Sequence, residues 1–416
     1  MESNLFQILK VSESIKIKDI IMLGKDVFQP LDKKLIQTSN REKITNLVFQ
    51  GGSIKGIAYV GAIKTLEESG FIDFTQLERI AGTSAGSITA MLRCIGYDGK
   101  KMQKIMSKMD FTKFLDEMHG NVRDSLLKGK KKKKSFQLGV FFASKVSDST
   151  ASHISSRLSK HNGLFMGEYF RAWAEKYMRK ATNIPHLTFA ELHNLKLQNP
   201  EKYKDLYVVG TNITTGFAET FSHETTPDVI ISDAVRISMS IPIIFEPHQV
   251  YIKDASGDRI PDPTKKEFLY VDGGLIENYP LSIFDDKRYF SPDIQSTFSV
   301  EEIARGANPA TLGFRLVDKT KKAFLEGKTT QASTTTEITG FISYTWSILN
   351  AIYHKQESDH IRNAESSRTI YIDTCGVNML DFDLDIEKQD LLLNSGRSAV
   401  EEFLELNQIR ASIQLS

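Results

Sequence analysis

A serine framed by small residues gives this chain its clearest capacity for chemistry: Gly82-Thr83-Ser84-Ala85-Gly86 fits the pattern G-x-S-x-G. In that pattern the serine stands on a sharp strand-to-helix turn, and a glycine on either side keeps the crowded backbone free of side-chain collisions. The run Glu78-Arg79-Ile80-Ala81 before it reads as a short strand, and Ser87 to Ile95 after it as a helix. Ser84 would then sit at a helix N-terminus, where unbonded N–H groups and the helix dipole favour a developing negative charge. The pentapeptide alone describes a helix-capping serine equally well, so the chemistry depends on what the rest of the chain brings beside it.

Two other stretches qualify. Gly51-Gly52-Ser53-Ile54-Lys55-Gly56 follows the β-rich run Ile44 to Phe49. Its glycines allow backbone N–H groups to turn inward, as an oxyanion hole for acyl transfer requires. Phosphate binding is the competing use of such a loop. Against it, Ile57 stands where a P-loop has its lysine, and Ser53 stands where the dinucleotide fingerprint has its middle glycine.

A nucleophilic serine also needs a base. The nine histidines, at 119, 153, 161, 186, 193, 223, 248, 354 and 360, lie mostly in polar segments, and none stands out. His354 and His360 do follow Asp272 in the chain, as a histidine-completed triad would need. Asp272 itself is better placed: it ends the apolar run Phe268-Leu269-Tyr270-Val271 and is followed by Gly273 and Gly274. An ordinary aspartate, with a pKa of about 3.9, is a poor base, so this one would need desolvation and an oxyanion hole that carries much of the barrier reduction. Asp381, Asp383 and Asp385 lack the glycine and terminal glutamate of a calcium loop and read as a solvated turn. No metal site and no cofactor is expected.

The elements needed to position these residues are legible as a pattern. The strand, glycine loop and helix of 44–70 are followed at once by a second strand, turn and helix, which points to a parallel sheet covered by helices. Later, Leu206 to Val209 reads as a buried strand, Ile231 to Met239 as a helix stopped by Pro242, and Thr369 to Ile372 as another strand. Three strands, ending at Phe49, Ala81 and Val271, open into polar glycine loops, and loops at the carboxyl ends of strands are where open α/β sheets bind ligands. Met166, Tyr169, Phe170, Trp173 and Tyr177 draw one apolar stripe on a helix that is expected to face the core, as is the helical segment Phe341 to Tyr353. A last helix is expected over Lys388 to Leu406.

Composition sets the class. The chain has 416 residues, 40% of them hydrophobic and 25% charged, as in ordinary globular proteins. Its 53 basic and 52 acidic side chains nearly cancel, which removes any whole-chain electrostatic case for a nucleic-acid partner. Cys94 and Cys375 are too few for a disulfide framework or a cysteine-based zinc site. Nothing approaches the run of about 18 apolar residues that a membrane-spanning helix needs, and the first 35 residues lack the apolar core of a secretory signal. The expectation is an extension over 1–43 and one continuous domain over 44–406, made in the cytosol.

Taken together, the glycine loop Gly51 to Gly56 with Lys55, the elbow Gly82 to Gly86, and Asp272-Gly273-Gly274 continuing to Asn278 and Pro280 resemble the patatin-like phospholipase family. Ser232 to Pro242 also looks like the helix and proline turn that precede the aspartate in that family. The resemblance covers roughly 44–285 and implies a three-layer α/β/α fold with a mostly parallel central sheet. It implies Ser84 as nucleophile, Asp272 as its base in a Ser-Asp dyad, and backbone N–H groups around Gly51, Gly52 and Ser53 as the oxyanion hole. One departure matters: the family usually has a third consecutive glycine where this chain has Ser53, which restricts the local φ angle or tilts a donor.

The activity implied is phospholipase A or lysophospholipase chemistry through an acyl-enzyme, with no metal. Two alternatives stand beside it: a hydrolase with a Ser-His-Asp triad, and a catalytically weak binding or regulatory module in which Ser53 has spoiled the hole. The implied partners are a phospholipid or lysophospholipid and a transient membrane surface, to which the six lysines between 128 and 134 would contribute about 1 kcal/mol each near anionic lipid. The location implied is cytoplasmic and peripheral to membranes. Some relatives in this family are effectors switched on by a host protein or a small-molecule signal, so secretion without a Sec signal and an activator stay open.

Overall fold

The computed structural model describes residues 44–116, 148–290, 308–318, 341–362 and 368–414, all within one unit spanning Glu42–Ser416. The extension 1–43 and the lysine run at 128–134 lie outside the described residues.

The expected pair of strand-loop-helix units is present as β1 (Asn46–Phe49), α1 (Ile57–Ser69), β2 (Arg79–Thr83) and α2 (Ala85–Cys94). Five more strands complete the central sheet: β3 (Asp205–Asn212), β4 (Phe217–Phe221), β5 (Tyr270–Asp272), β6 (Thr311–Val317) and β7 (Thr369–Asp373). Their order is β7-β6-β1-β2-β3-β4, with β5 also paired to β3. β1, β2, β3, β6 and β7 run parallel to one another, while β4 and β5 run antiparallel to β3. The sheet is therefore mixed but mostly parallel and flanked by helices, the α/β class expected.

Near-continuous apolar strands are what a parallel sheet buried on both faces needs. Alternate side chains enter different cores. Leu47, Phe49, Ile80, Leu206 and Val208 join the larger one, under the helices, whereas Val48, Ala81 and Tyr207 pack with Tyr279, Leu281, Phe284 and Tyr289 on the other face.

β3 is the element that brings the distant residues together. The pairing of β2 with β3 ends at Thr83↔Val209, and that of β5 begins at Gly210↔Asp272. β4 occupies the opposite edge of β3 over Val208 to Asn212, so β5 must share the edge used by β2. The two strands meet end to end. Thr83 and Asp272 thus face consecutive residues of β3, about 3.3 Å apart along the strand. This differs from three parallel strands opening onto one edge: β5 runs the other way, and its last residue is delivered to the elbow head-on.

Three helices pack around the sheet near the site or carry the apolar stripes. α3 (Glu168–Thr182) buries Phe170, Ala174 and Met178, with Trp173 and Tyr177 packed against the core, so most of its apolar stripe faces inward while Tyr169 is exposed. α4 (Ile231–Ser238) is fully buried and leads into the Ser240 to Pro242 turn. α5 (Phe341–Arg362) buries Trp346, Leu349 and Tyr353. Among the described residues no helix is long and apolar enough to cross a membrane.

Candidate active site

The elbow is one residue long. β2 continues through Gly82 and Thr83, α2 begins at Ala85, and Ser84 between them takes φ 50° and ψ −123°, a left-handed conformation that a non-glycine residue adopts only under constraint. The constraint is visible. A Cβ on Gly82 would collide with the backbone of Gly86, and one on Gly86 would collide with the carbonyl of Phe49. The Ser84 N–H donates to Ser238 Oγ at 2.8 Å, while the Ser238 hydroxyl donates in turn to the Val209 carbonyl at 2.5 Å. The Ser84 carbonyl accepts from the Ser87 N–H at 2.9 Å, which starts α2. None of these bonds uses the Ser84 hydroxyl.

Asp272 is anchored from the same segment. Its N–H donates to the Ser240 carbonyl at 2.9 Å, so Ser238, the last residue of α4, and Ser240, two residues on, hold the backbones of Ser84 and Asp272 respectively. Oδ1 accepts the Gly274 N–H at 2.7 Å. Oδ2 is buried without a hydrogen-bond partner among the described residues. Burial pushes the carboxyl up to about 7, against the opposing pull of the Ser84 hydroxyl and the Gly274 N–H. The serine is therefore near enough to favour the ionised carboxylate, although no hydrogen bond of good geometry joins it to Oδ2. A base that titrates near neutral pH suits proton abstraction far better than an ordinary aspartate.

The glycine loop lies beside the elbow, with a correction to the expected donor set. The Gly51 N–H is donated to the Asn278 carbonyl at 2.9 Å, so Gly51 ties the loop to the 273–280 segment and its N–H is not available to an oxyanion. A Cβ on Gly51 would collide with the Asn278 side chain. Gly52 and Ser53 donate to no acceptor among the described residues, and Ala85 at the first position of α2 has the unbonded N–H of any helix start. Ser53 has φ 51°, the region in which glycine is unstrained, which is the physical content of its departure from a third glycine. Gly56 packs against Ala85, where an added Cβ would come within 2.8 Å of the alanine Cβ.

Two cavities meet at Ser84. A polar one of about 340 Å³ is lined by Gly51, Gly52, Ser53, Lys55, Ser84, Asp272, Asn278 and Tyr353. An apolar one of about 480 Å³ is lined by residues such as Ile54, Ile88, Met106, Phe111, Phe114 and Phe245, and shares Ser53, Ser84 and Ile241 with the first. No described histidine side chain lines either. His248 is tied to Asp233 at 2.8 Å, and the side chains of His354 and His360 lie outside the described residues. Tyr353 and Ser238 fall inside the segments Phe341 to Tyr353 and Ser232 to Pro242, but nothing in their local sequence marks either as a site residue.

One described group could hold a metal ion: His193, Asp205 and His223, whose ligand atoms lie within 4.8 Å of one another. It sits at the start of β3, away from the elbow. Lys196 already bonds Asp205 Oδ2 at 2.6 Å, and the two imidazoles stack 4.0 Å apart and 6° from parallel, so their in-plane lone pairs do not converge.

A serine at positive φ on a strand-to-helix elbow, beside a buried carboxyl and a glycine loop on a mostly parallel sheet, is an arrangement able to support acyl transfer. The sequence profile of the patatin-like phospholipases matches residues 47–285, and the chain belongs to that family of lipid-hydrolysing enzymes. It is 26% identical over 364 residues to the uncharacterized protein R571 of Acanthamoeba polyphaga mimivirus, covering 87% of this chain and 94% of that one. It is 28% identical over 240 residues to the probable lipid hydrolase 463L of Invertebrate iridescent virus 6, covering 57% of this chain and 62% of that one. The crystal structure of VipD from Legionella pneumophila aligns at 20% identity and a TM-score of 0.46, covering 87% of this chain and 67% of that one.

Proposed function

We propose that this chain is a lipid acyl hydrolase of the phospholipase A or lysophospholipase type that works through Ser84 and Asp272. The observation that carries the reading is the buried Asp272 carboxyl, raised to about 7, with Oδ2 unpaired among the described residues and in the same cavity as the Ser84 hydroxyl.

In this mechanism Asp272 Oδ2 takes the Ser84 proton as Oγ attacks an ester carbonyl. The developing oxyanion is received by the N–H groups of Gly52, Ser53 and Ala85, which need no reorganisation because they already lack partners. The protonated carboxyl then donates to the leaving alcohol, and Ser84 is left acylated. The apolar cavity suits an acyl chain, and the polar one, with Lys55 and Asn278 on its wall, suits the glycerol side of the ester. Such a substrate is met at a membrane surface, so the enzyme acts as a peripheral protein, with 44–406 as its catalytic domain and 1–43 as an extension.

The test is product analysis on phospholipid and lysophospholipid vesicles with wild type, Ser84→Ala and Asp272→Asn. Free fatty acid release is expected from wild type and lost in both variants. Full activity in either variant contradicts the dyad.

A further inference from the structure

Among the described residues, two buried polar atoms on the wall of the polar cavity have no partner: Asp272 Oδ2 and the Tyr353 hydroxyl. Tyr353 is only 6% exposed, and its helix is tied to the same loop. Gln356 donates to the carbonyls of Gly274 at 3.0 Å and Leu275 at 3.1 Å and accepts the Asn278 N–H at 2.9 Å. The missing side chain at Gly274 is what lets the tyrosine approach: a Cβ there would lie 2.8 Å from Tyr353 Cε1 and 2.9 Å from Asp272 Oδ1. Burial first, and then the charge of Asp272, push the phenol well above its ordinary range, so it stays a proton donor at any working pH.

An unpaired donor and an unpaired acceptor facing one small polar cavity make a site for water, which satisfies both at once. We propose that Tyr353 positions the water that hydrolyses the acyl-enzyme. This rests on the reading of Ser84 as nucleophile and Asp272 as base. The water accepts the Tyr353 O–H and donates to Asp272 Oδ2, which aims its remaining lone pair at the acyl carbon on Ser84. Its oxygen forms the new bond to that carbon as its proton passes to Oδ2. The tetrahedral adduct then collapses, the bond from carbon to Ser84 Oγ breaks, and Oγ recovers the proton from Asp272. Fatty acid leaves, and Tyr353 keeps its proton throughout.

A direct bond from Tyr353 to the carboxylate would act differently, because it would assist or hinder both halves of the reaction through Asp272. The experiment therefore separates the halves in Tyr353→Phe with a p-nitrophenyl ester. Acylation is followed by the nitrophenolate burst, and deacylation by decay of the acyl-enzyme in acid-quenched intact mass spectra. Decay is expected to slow about tenfold, the worth of one well-made hydrogen bond, while the acylation rate and kcat/KM stay within twofold and KM falls with kcat. Ser84 should react with a fluorophosphonate at the wild-type rate, which shows an intact elbow. Equal slowing of both halves, unchanged decay, or a displaced pH midpoint of kcat/KM overturns the proposal. Hydrolysis persisting in Ser84→Ala instead sinks the reading beneath it.

Discussion

Replacing Asp272 with asparagine is expected to abolish turnover and to make the folded chain more stable above neutral pH. The carboxyl is raised from 3.8 to about 7 by burial, so the fold favours its protonated form. The stability associated with that proton is fully present below about pH 4 and is lost as the pH climbs through 7. Ionising such a group in the folded chain costs about 4 kcal/mol above pH 7. The amide cannot ionise and still offers an oxygen to the Gly274 N–H. Urea unfolding of wild type and Asp272→Asn at pH 4 and pH 8.5 should show the gap between them widening by about 4 kcal/mol in favour of the variant. Ester hydrolysis should fall by a factor on the order of a hundred or more. A gap that does not change with pH, or a variant less stable than wild type at pH 8.5, would refute the claim that the site holds a desolvated base.

The same carboxyl predicts that wild-type kcat/KM rises with pH through a midpoint near 7; a limb at pH 4 would mean that Asp272 is solvated or is not the base. Ser53 holds φ 51°, so Ser53→Gly should keep wild-type activity, whereas Ser53→Val, β-branched and unable to hold that angle, should lose activity on the order of a hundredfold by displacing an oxyanion donor. Steady-state assays that find the two variants equally active would remove the loop from the mechanism. Ser238→Ala leaves the Ser84 N–H and the Val209 carbonyl without their shared partner, which should lower stability by about 1–3 kcal/mol and reduce kcat. A calorimetric change under about 0.5 kcal/mol with normal activity would show that the elbow does not need this tie.

What could be read from the chain was what is written locally. Glycines at 82 and 86 betray a backbone too crowded for a Cβ, and an aspartate between an apolar run and two glycines betrays a carboxylate at a strand end. The parallel layout followed from the two strand-loop-helix units in succession. Pairing across long separations was not legible. Nothing near Asp272 indicates that its strand runs antiparallel to β3 and abuts the end of β2, because that register is set by contacts with Gly210 to Asn212, some 60 residues away. The tie from Gly51 to Asn278 was hidden for the same reason, and with it the fact that one expected oxyanion donor is already engaged. Tyr353 lies on a helix whose apolar side chains read as core, and its ring is indeed buried; only its hydroxyl, aimed at the site, sets it apart. Ser238 and Ser240 show the complementary case, in which a motif was visible while its work was not. Their spacing lets one short segment hold the backbones of both Ser84 and Asp272.

Trapping the covalent intermediate tests the central claim most directly. Wild type mixed with phospholipid carrying an isotope-labelled acyl chain, quenched in acid within the turnover time and digested for peptide mapping, should carry the label as an ester on Ser84. Fatty acid released while the label is found on another residue, or on none in Tyr353→Phe as well as in wild type, would contradict it.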